Sequence, residues 1–127
     1  MKKIISTENA PKAVGPYSQA VWANDLLFIS GQIPIDPSTG KFVSEDVKEQ
    51  TKQVFKNLGS ILQEAGMDFE NIVKATVYLA DMNDFAAMNE VYASFFEKDF
   101  PARAAFQVVK LPLGAKVEIE AIAVRDI

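Results

Sequence analysis

The run Val117-Glu118-Ile119-Glu120-Ala121-Ile122-Ala123 near the end of the chain alternates with a period of two, yet it carries apolar side chains on both faces. Val117, Ile119 and Ala121 share one face, while Ile122 and Val124 share the other with Glu118 and Glu120. A strand of that kind belongs inside a sheet covered on both sides. The rest of the chain offers two helices to do the covering. Ser44 is placed to cap the first, with Glu45 and Asp46 favourable for the helix dipole. Its apolar set Val47, Val54, Phe55, Leu58, Ile61, Leu62 and Ala65 recurs at helical spacing up to a stop at Gly66. Asp81 or Asn83 can cap the second, whose stripe is Phe85, Met88, Val91, Tyr92, Phe95 and Phe96, before Pro101 forces a break.

Strands are expected at residues 19–23 and 26–30, joined by a tight turn at Asn24-Asp25, and at about 102–109 and 117–124, separated by Pro112-Leu113-Gly114. Over residues 73–79, Val73, Ala75, Val77 and Leu79 should form a buried face against Lys74, Thr76 and Tyr78. Residues 34–40 are rich in turn formers and read as a surface loop. The expected fold class is α+β, a mixed β-sheet of about six strands with two helices packed on one face. Two helices cover one side of such a sheet, so the second side is expected to meet another copy of the chain.

Composition narrows the chemistry. At 127 residues and 49% hydrophobic, the chain reads as a single domain over residues 1–127 with one core. A net charge of -4 and a pI near 4.8 argue against nonspecific binding to nucleic acid or anionic membrane, which depends on clustered Lys and Arg. With no His and no Cys, the usual zinc ligands, a disulfide framework and a His-assisted nucleophile are all missing. The start of the chain has no signal-peptide core and no stretch approaches the roughly 20 apolar residues that span a bilayer, so a cytoplasmic location is expected.

The groups left for chemistry are few. Arg103 follows Pro101 among small neighbours, Ala102, Ala104 and Ala105, and its planar donor fork suits bidentate recognition of a carboxylate, or else a surface or intersubunit salt bridge. Glu118 and Glu120 point the same way from an apolar strand, so at least one is expected to be desolvated, and such a carboxylate holds and deprotonates water, or pairs with a neighbouring Lys or Arg. Gly15-Pro16-Tyr17-Ser18 and Ser30-Gly31-Gln32 put hydroxyls beside glycines whose backbone can approach a ligand closely, although each also suits a turn. Asn89 reads equally as a solvated helix residue.

Taken together, Gly15-Pro16-Tyr17, Ser30-Gly31-Gln32-Ile33-Pro34, Val73-Lys74-Ala75-Thr76-Val77-Tyr78-Leu79, Pro101-Ala102-Arg103 and Val117-Glu118-Ile119-Glu120-Ala121-Ile122-Ala123 closely resemble the reactive intermediate deaminase A family, also called YjgF/UK114. The resemblance runs nearly end to end and in order. It implies a chorismate mutase-like fold, a homotrimer with a central sheet barrel and ligand clefts between subunits. It also implies cofactor-free hydrolysis of 2-aminoacrylate and related 2-imino acids, released by pyridoxal-phosphate enzymes, to 2-oxo acids and ammonia, for which a chain without His and Cys is expected to use no metal. Arg103 then matches the substrate-carboxylate clamp, Glu118 the acid that orients the attacking water, and Tyr17, Ser30, Gly31 and Asn89 residues lining the cleft. Many members carry Cys two residues after the Arg; here Ala105 stands there, so no thiol is required, and its backbone carbonyl remains available to hold water. The segment between Phe96 and Pro101 is shorter than in some relatives, which bears on the pocket rim. Two rival readings accompany this one: a 2-oxo acid-binding or regulatory trimer, and an endoribonuclease, which sits poorly with the acidic charge and absent His.

Overall fold

A computed structural model describes residues 2–125. The strands are β1 (Lys3–Ile5), β2 (Ala20–Ala23), β3 (Leu26–Gln32), β4 (Ile35–Asp36), β5 (Lys41–Phe42), β6 (Ile72–Leu79), β7 (Ala102–Gln107) and β8 (Val117–Val124); the helices are α1 (Val47–Glu64) and α2 (Phe85–Ser94). Six strands form one sheet in the order β1-β2-β3-β8-β6-β7, and β4 and β5 make a separate hairpin. The last strand in the chain therefore lies between β3 and β6, antiparallel to both. β7 runs parallel to β6, a pairing that needs a long crossover, which α2 supplies. This is the α+β architecture expected, with the double-faced strand β8 at the centre of the sheet.

The helices pack on one face. Val54, Leu58, Ile61 and Leu62 of α1 and Met88 of α2 meet Leu27, Ile29, Ala75, Val77, Val117, Ile119, Ala121 and Ala123 in one core. Phe55 stacks on Phe95 with ring centroids 4.5 Å apart and meets Tyr92 edge-on at 5.5 Å, which locks α1 against α2. The Lys48–Glu90 ion pair between the helices, 2.8 Å long, is too exposed to add much. The opposite face keeps Leu26, Phe28 and Glu120 exposed, with Ile122 and Val124 only half-buried.

Several local expectations change. Asp46, not Ser44, caps α1 by accepting from the Glu49 amide at 3.0 Å, while the Ser44 hydroxyl accepts from the Asp46 amide. Gly66 does end α1: at φ +76° it lets Met67 N–H reach the Leu62 carbonyl at 2.9 Å. Val73 is exposed rather than buried, because the pairing of β6 with β8 slips between Ile72 and Lys74 and moves Ile72 to the inner face. Asp81 caps a 3₁₀ turn, Met82–Asp84, and α2 begins only after it, without a side-chain cap. α2 also ends at Ser94, well before Pro101, as Phe95 and Phe96 turn in against Phe55. The expected loop over residues 34–40 is in large part the β4–β5 hairpin turn.

Asn57 ties that hairpin to α1. Fully buried, its amide donates to the Ile33 and Ile35 carbonyls at 3.1 and 3.0 Å and its oxygen accepts from Gln53. Asn57→Ala strands these groups, and a urea titration should read a loss of about 1–3 kcal/mol. An unchanged midpoint would mean that the hairpin is held elsewhere.

Candidate active site

Register decides which face each candidate occupies. Tyr78 of β6 pairs with Glu118 and Thr76 with Glu120, so both carboxylates project from the open face. Arg103 pairs with Ala75, whose side chain is buried under the helices, so Arg103 and, two residues on, Ala105 project from the helix face. Within one chain, then, Arg103, Asn89 and Ala105 form one cluster and Tyr17, Ser30, Gly31 and Glu118 another. The fold does not bring the two together.

The open-face cluster is built around a bulge. Between Ile29 and Gln32, β3 carries one extra residue against β8, which places Ser30 and Gly31 opposite Glu120. Gly31 is required by its neighbour: a Cβ there would press on the Glu118 carboxylate, 2.9 Å from its Cδ and 3.2 Å from its Cγ. The Ser30 hydroxyl donates to the Ser18 carbonyl at 2.6 Å, so towards a ligand it can only accept. Tyr17 is set by a tight turn over Pro16, closed by its amide on the Gly15 carbonyl at 2.8 Å, and its segment is anchored by buried Gln19, which bonds Thr7 and Pro11. Together these residues line a groove of about 620 Å³, with Val14, Ile33, Pro112 and Leu113 as its apolar wall. Half-buried Glu118 is pushed above its ordinary pKa, first by burial and then by the charge of Glu120. The Tyr78 phenol across from it is also raised, by burial first and then by Glu120 and Glu118, and stays protonated at neutral pH.

In the helix-face cluster, Arg103 Nη1 donates to Asn89 Oδ1 at 2.6 Å. Among the described residues no carboxylate lies within 4.0 Å of the guanidinium, and the ion-pair reading finds no partner there. Asn89 is thus not a solvated helix residue but a half-buried one that holds the arginine. Phe85 and Tyr92, which the sequence offers as core stripe, stand against the same guanidinium. The signal for this cluster was a polar residue, Asn89, four after Phe85 and three before Tyr92, and so on one helix face with them. Tyr78 was legible only as an outward residue of its strand.

A Gly31→Ala variant should fold normally, because the clash is with the movable end of a side chain, but it displaces the Glu118 carboxylate. Turnover should fall by about a hundredfold, the order expected for a misplacement near 1 Å, at a nearly unchanged melting temperature. Undiminished turnover would separate Glu118 from the chemistry.

The sequence model of the family described as Endoribonuclease L-PSP matches residues 7–125. A 2-iminobutanoate/2-iminopropanoate deaminase of Mus musculus is 57% identical over 98% of this chain and 93% of its own length. A RutC family protein of Pyrococcus horikoshii is 56% identical over 99% of this chain and all of its own. The crystal structure of E. coli TdcF with bound serine superposes with a TM-score of 0.93 at 46% identity, covering 98% of this chain and 99% of that one. With sequence and fold shared over nearly their whole length, the chain belongs to the Endoribonuclease L-PSP family, in the reactive intermediate deaminase branch whose motifs it carries.

Proposed function

We propose that this chain is a 2-iminobutanoate/2-iminopropanoate deaminase that hydrolyses 2-aminoacrylate-type intermediates to 2-oxo acids and ammonia, in clefts shared between copies of a homotrimer. The observation that carries the reading is the Arg103 guanidinium, held by Asn89 and without a carboxylate of its own among the described residues. A fold that holds such a cation half-buried leaves its charge for an anionic ligand. The name of the mouse relative and the serine in TdcF, a small amino acid carboxylate, point to the same ligand class. Because Arg103 and Glu118 face opposite sides of one sheet, a single small ligand touches both only where the helix-face cluster of one copy meets the groove of another. Leu26 and Phe28, exposed on the same open face of the sheet, give the second copy an apolar seat.

The reaction needs little help, since a C=N bond beside a carboxylate is already electrophilic once its nitrogen is protonated. Arg103 fixes the carboxylate, Ser30 accepts from the nitrogen N–H, and Tyr17 closes the groove. Glu118 takes a proton from water as its oxygen attacks C2, forming a carbinolamine, and returns that proton to nitrogen. The carbinol hydroxyl then gives its proton to Glu118 as the C–N bond breaks and the C=O bond forms, ammonia and the 2-oxo acid leave, and Glu118 releases to solvent a proton equivalent to the one that charged the imine nitrogen. Every atom is supplied by water and the imine. RNA cleavage, which the family's description names, finds no support in a chain of net charge -4 with Glu118 and Glu120 on the open face. A cytoplasmic location fits a chain with no Cys, and no helix among the described residues is long and apolar enough to cross a membrane.

The deciding experiment generates 2-iminobutanoate and 2-aminoacrylate in situ and sets semicarbazide trapping against 2-oxo acid release. A deaminase outcompetes the trap, in a particle of three times the 14.0 kDa chain mass. Tight 2-oxo acid binding without acceleration would leave a ligand-binding or regulatory trimer.

A further inference from the structure

Among the described residues one hydrogen bond fixes one corner of the Arg103 guanidinium, and a planar cation on a long flexible stem needs more than that to hold still. Two aromatic rings of α2 supply the rest. The guanidinium carbon lies 4.7 Å from the Tyr92 ring centroid and 5.5 Å from that of Phe85, both inside the roughly 6 Å over which a ring face attracts a cation. Phe85, Asn89 and Tyr92 fall on one face of the helix, at intervals of four and three residues, so a single rigid element presents all three contacts. The Tyr92 ring is itself immobile: only 4% exposed, it meets Phe55 edge-on at 5.5 Å and lies tilted against Phe96 at 5.2 Å. Its hydroxyl has no hydrogen-bond partner among the described residues, so the ring is what holds the arginine. A carboxylate at this position would hold the arginine and neutralise it, whereas an amide oxygen and two aromatic faces hold it and leave its charge intact.

We propose that Phe85 and Tyr92 are positioning residues that fix the Arg103 guanidinium for the substrate carboxylate without neutralising it. This rests on Arg103 being the carboxylate clamp.

The test compares Phe85→Leu, Tyr92→Leu and Tyr92→Phe, and repeats Phe85→Leu in the Arg103→Ala background. Steady-state rates with 2-iminobutanoate give KM and kcat, and calorimetric titration with 2-oxobutanoate, which carries the same carboxylate and is not consumed, gives Kd. Phe85→Leu and Tyr92→Leu should each raise KM and Kd about fivefold while kcat stays within about twofold, the pattern of lost carboxylate binding. Tyr92→Phe, which keeps the ring, should restore the wild-type KM. In the Arg103→Ala background Phe85→Leu should add nothing, because it acts through the arginine. If Arg103→Ala leaves 2-oxobutanoate binding intact, the clamp reading itself fails and takes this proposal with it. If Arg103→Ala abolishes binding but the two Leu variants bind like wild type, the clamp stands and the positioning role is overturned. A Phe85→Leu loss that persists undiminished without Arg103 overturns it too. Should Tyr92→Leu fail to fold, Phe85→Leu decides alone, since that ring is only half-buried at the start of α2.

Discussion

Arg103→Ala should lower kcat/KM for 2-iminobutanoate by about thirtyfold to several thousandfold, the equivalent of roughly 2–5 kcal/mol for truncating one partner of a desolvated charge pair. The loss should appear mainly in KM, because the carboxylate is gripped equally in ground and transition states. Arg103→Lys should recover only part of it, since an ammonium makes neither the planar fork nor the same contact with Phe85 and Tyr92. Folding should survive, as no ion pair within the described chain depends on this residue. A variant that still outcompetes semicarbazide as wild type does would remove Arg103 from the site.

Glu118→Gln should act differently, lowering kcat by about 10²–10⁴ with little change in KM, because the amide neither takes a proton from water nor returns it to nitrogen. The pH dependence has a defined sign. Burial and Glu120 raise the Glu118 pKa in the folded protein above its ordinary value, so ionising Glu118 costs folding stability. That cost is absent below the ordinary carboxylate pKa and fully present above the raised one. The melting temperature of Glu118→Gln relative to wild type should therefore rise as pH climbs through that window. Glu120→Gln should move the acid limb of the wild-type rate profile to lower pH, with Tyr78, Lys12 and Lys110 still lining the surroundings. A limb that stays put would show that a group other than Glu118 sets it.

The two variants also test the shared cleft. Mixed, dissociated and reassembled, Arg103→Ala and Glu118→Gln chains form hybrids in which one interface joins an intact Arg103 cluster to an intact Glu118 groove. Activity should return well above that of either variant alone. Mixtures as dead as their components would overturn the shared cleft.

Much of this was legible in local pattern. The alternation of residues 117–124 specified β8 and its inner face of Val117, Ile119 and Ala121, and the spacing from Val47 to Leu62 specified the buried stripe of α1. Both are set by a fixed geometric period between neighbours in sequence, which the order of apolar and polar residues alone satisfies. The motifs named Arg103, Tyr17, Ser30, Gly31 and Glu118, but not Phe85 and Tyr92, which read as core stripe. They did not say which would meet. The slips at Ile72 and at Ser30-Gly31, the place of β8 between β3 and β6, and the opposite faces of Arg103 and Glu118 come from pairings between distant segments, where a shift of one residue turns a side chain to the other side of the sheet. The sequence alone determined the main helices, most strands of the large sheet and the chemical groups; only the tertiary structure decided that the groups fall into two separate clusters, because strand order and register depend on long-range pairing that no local period encodes.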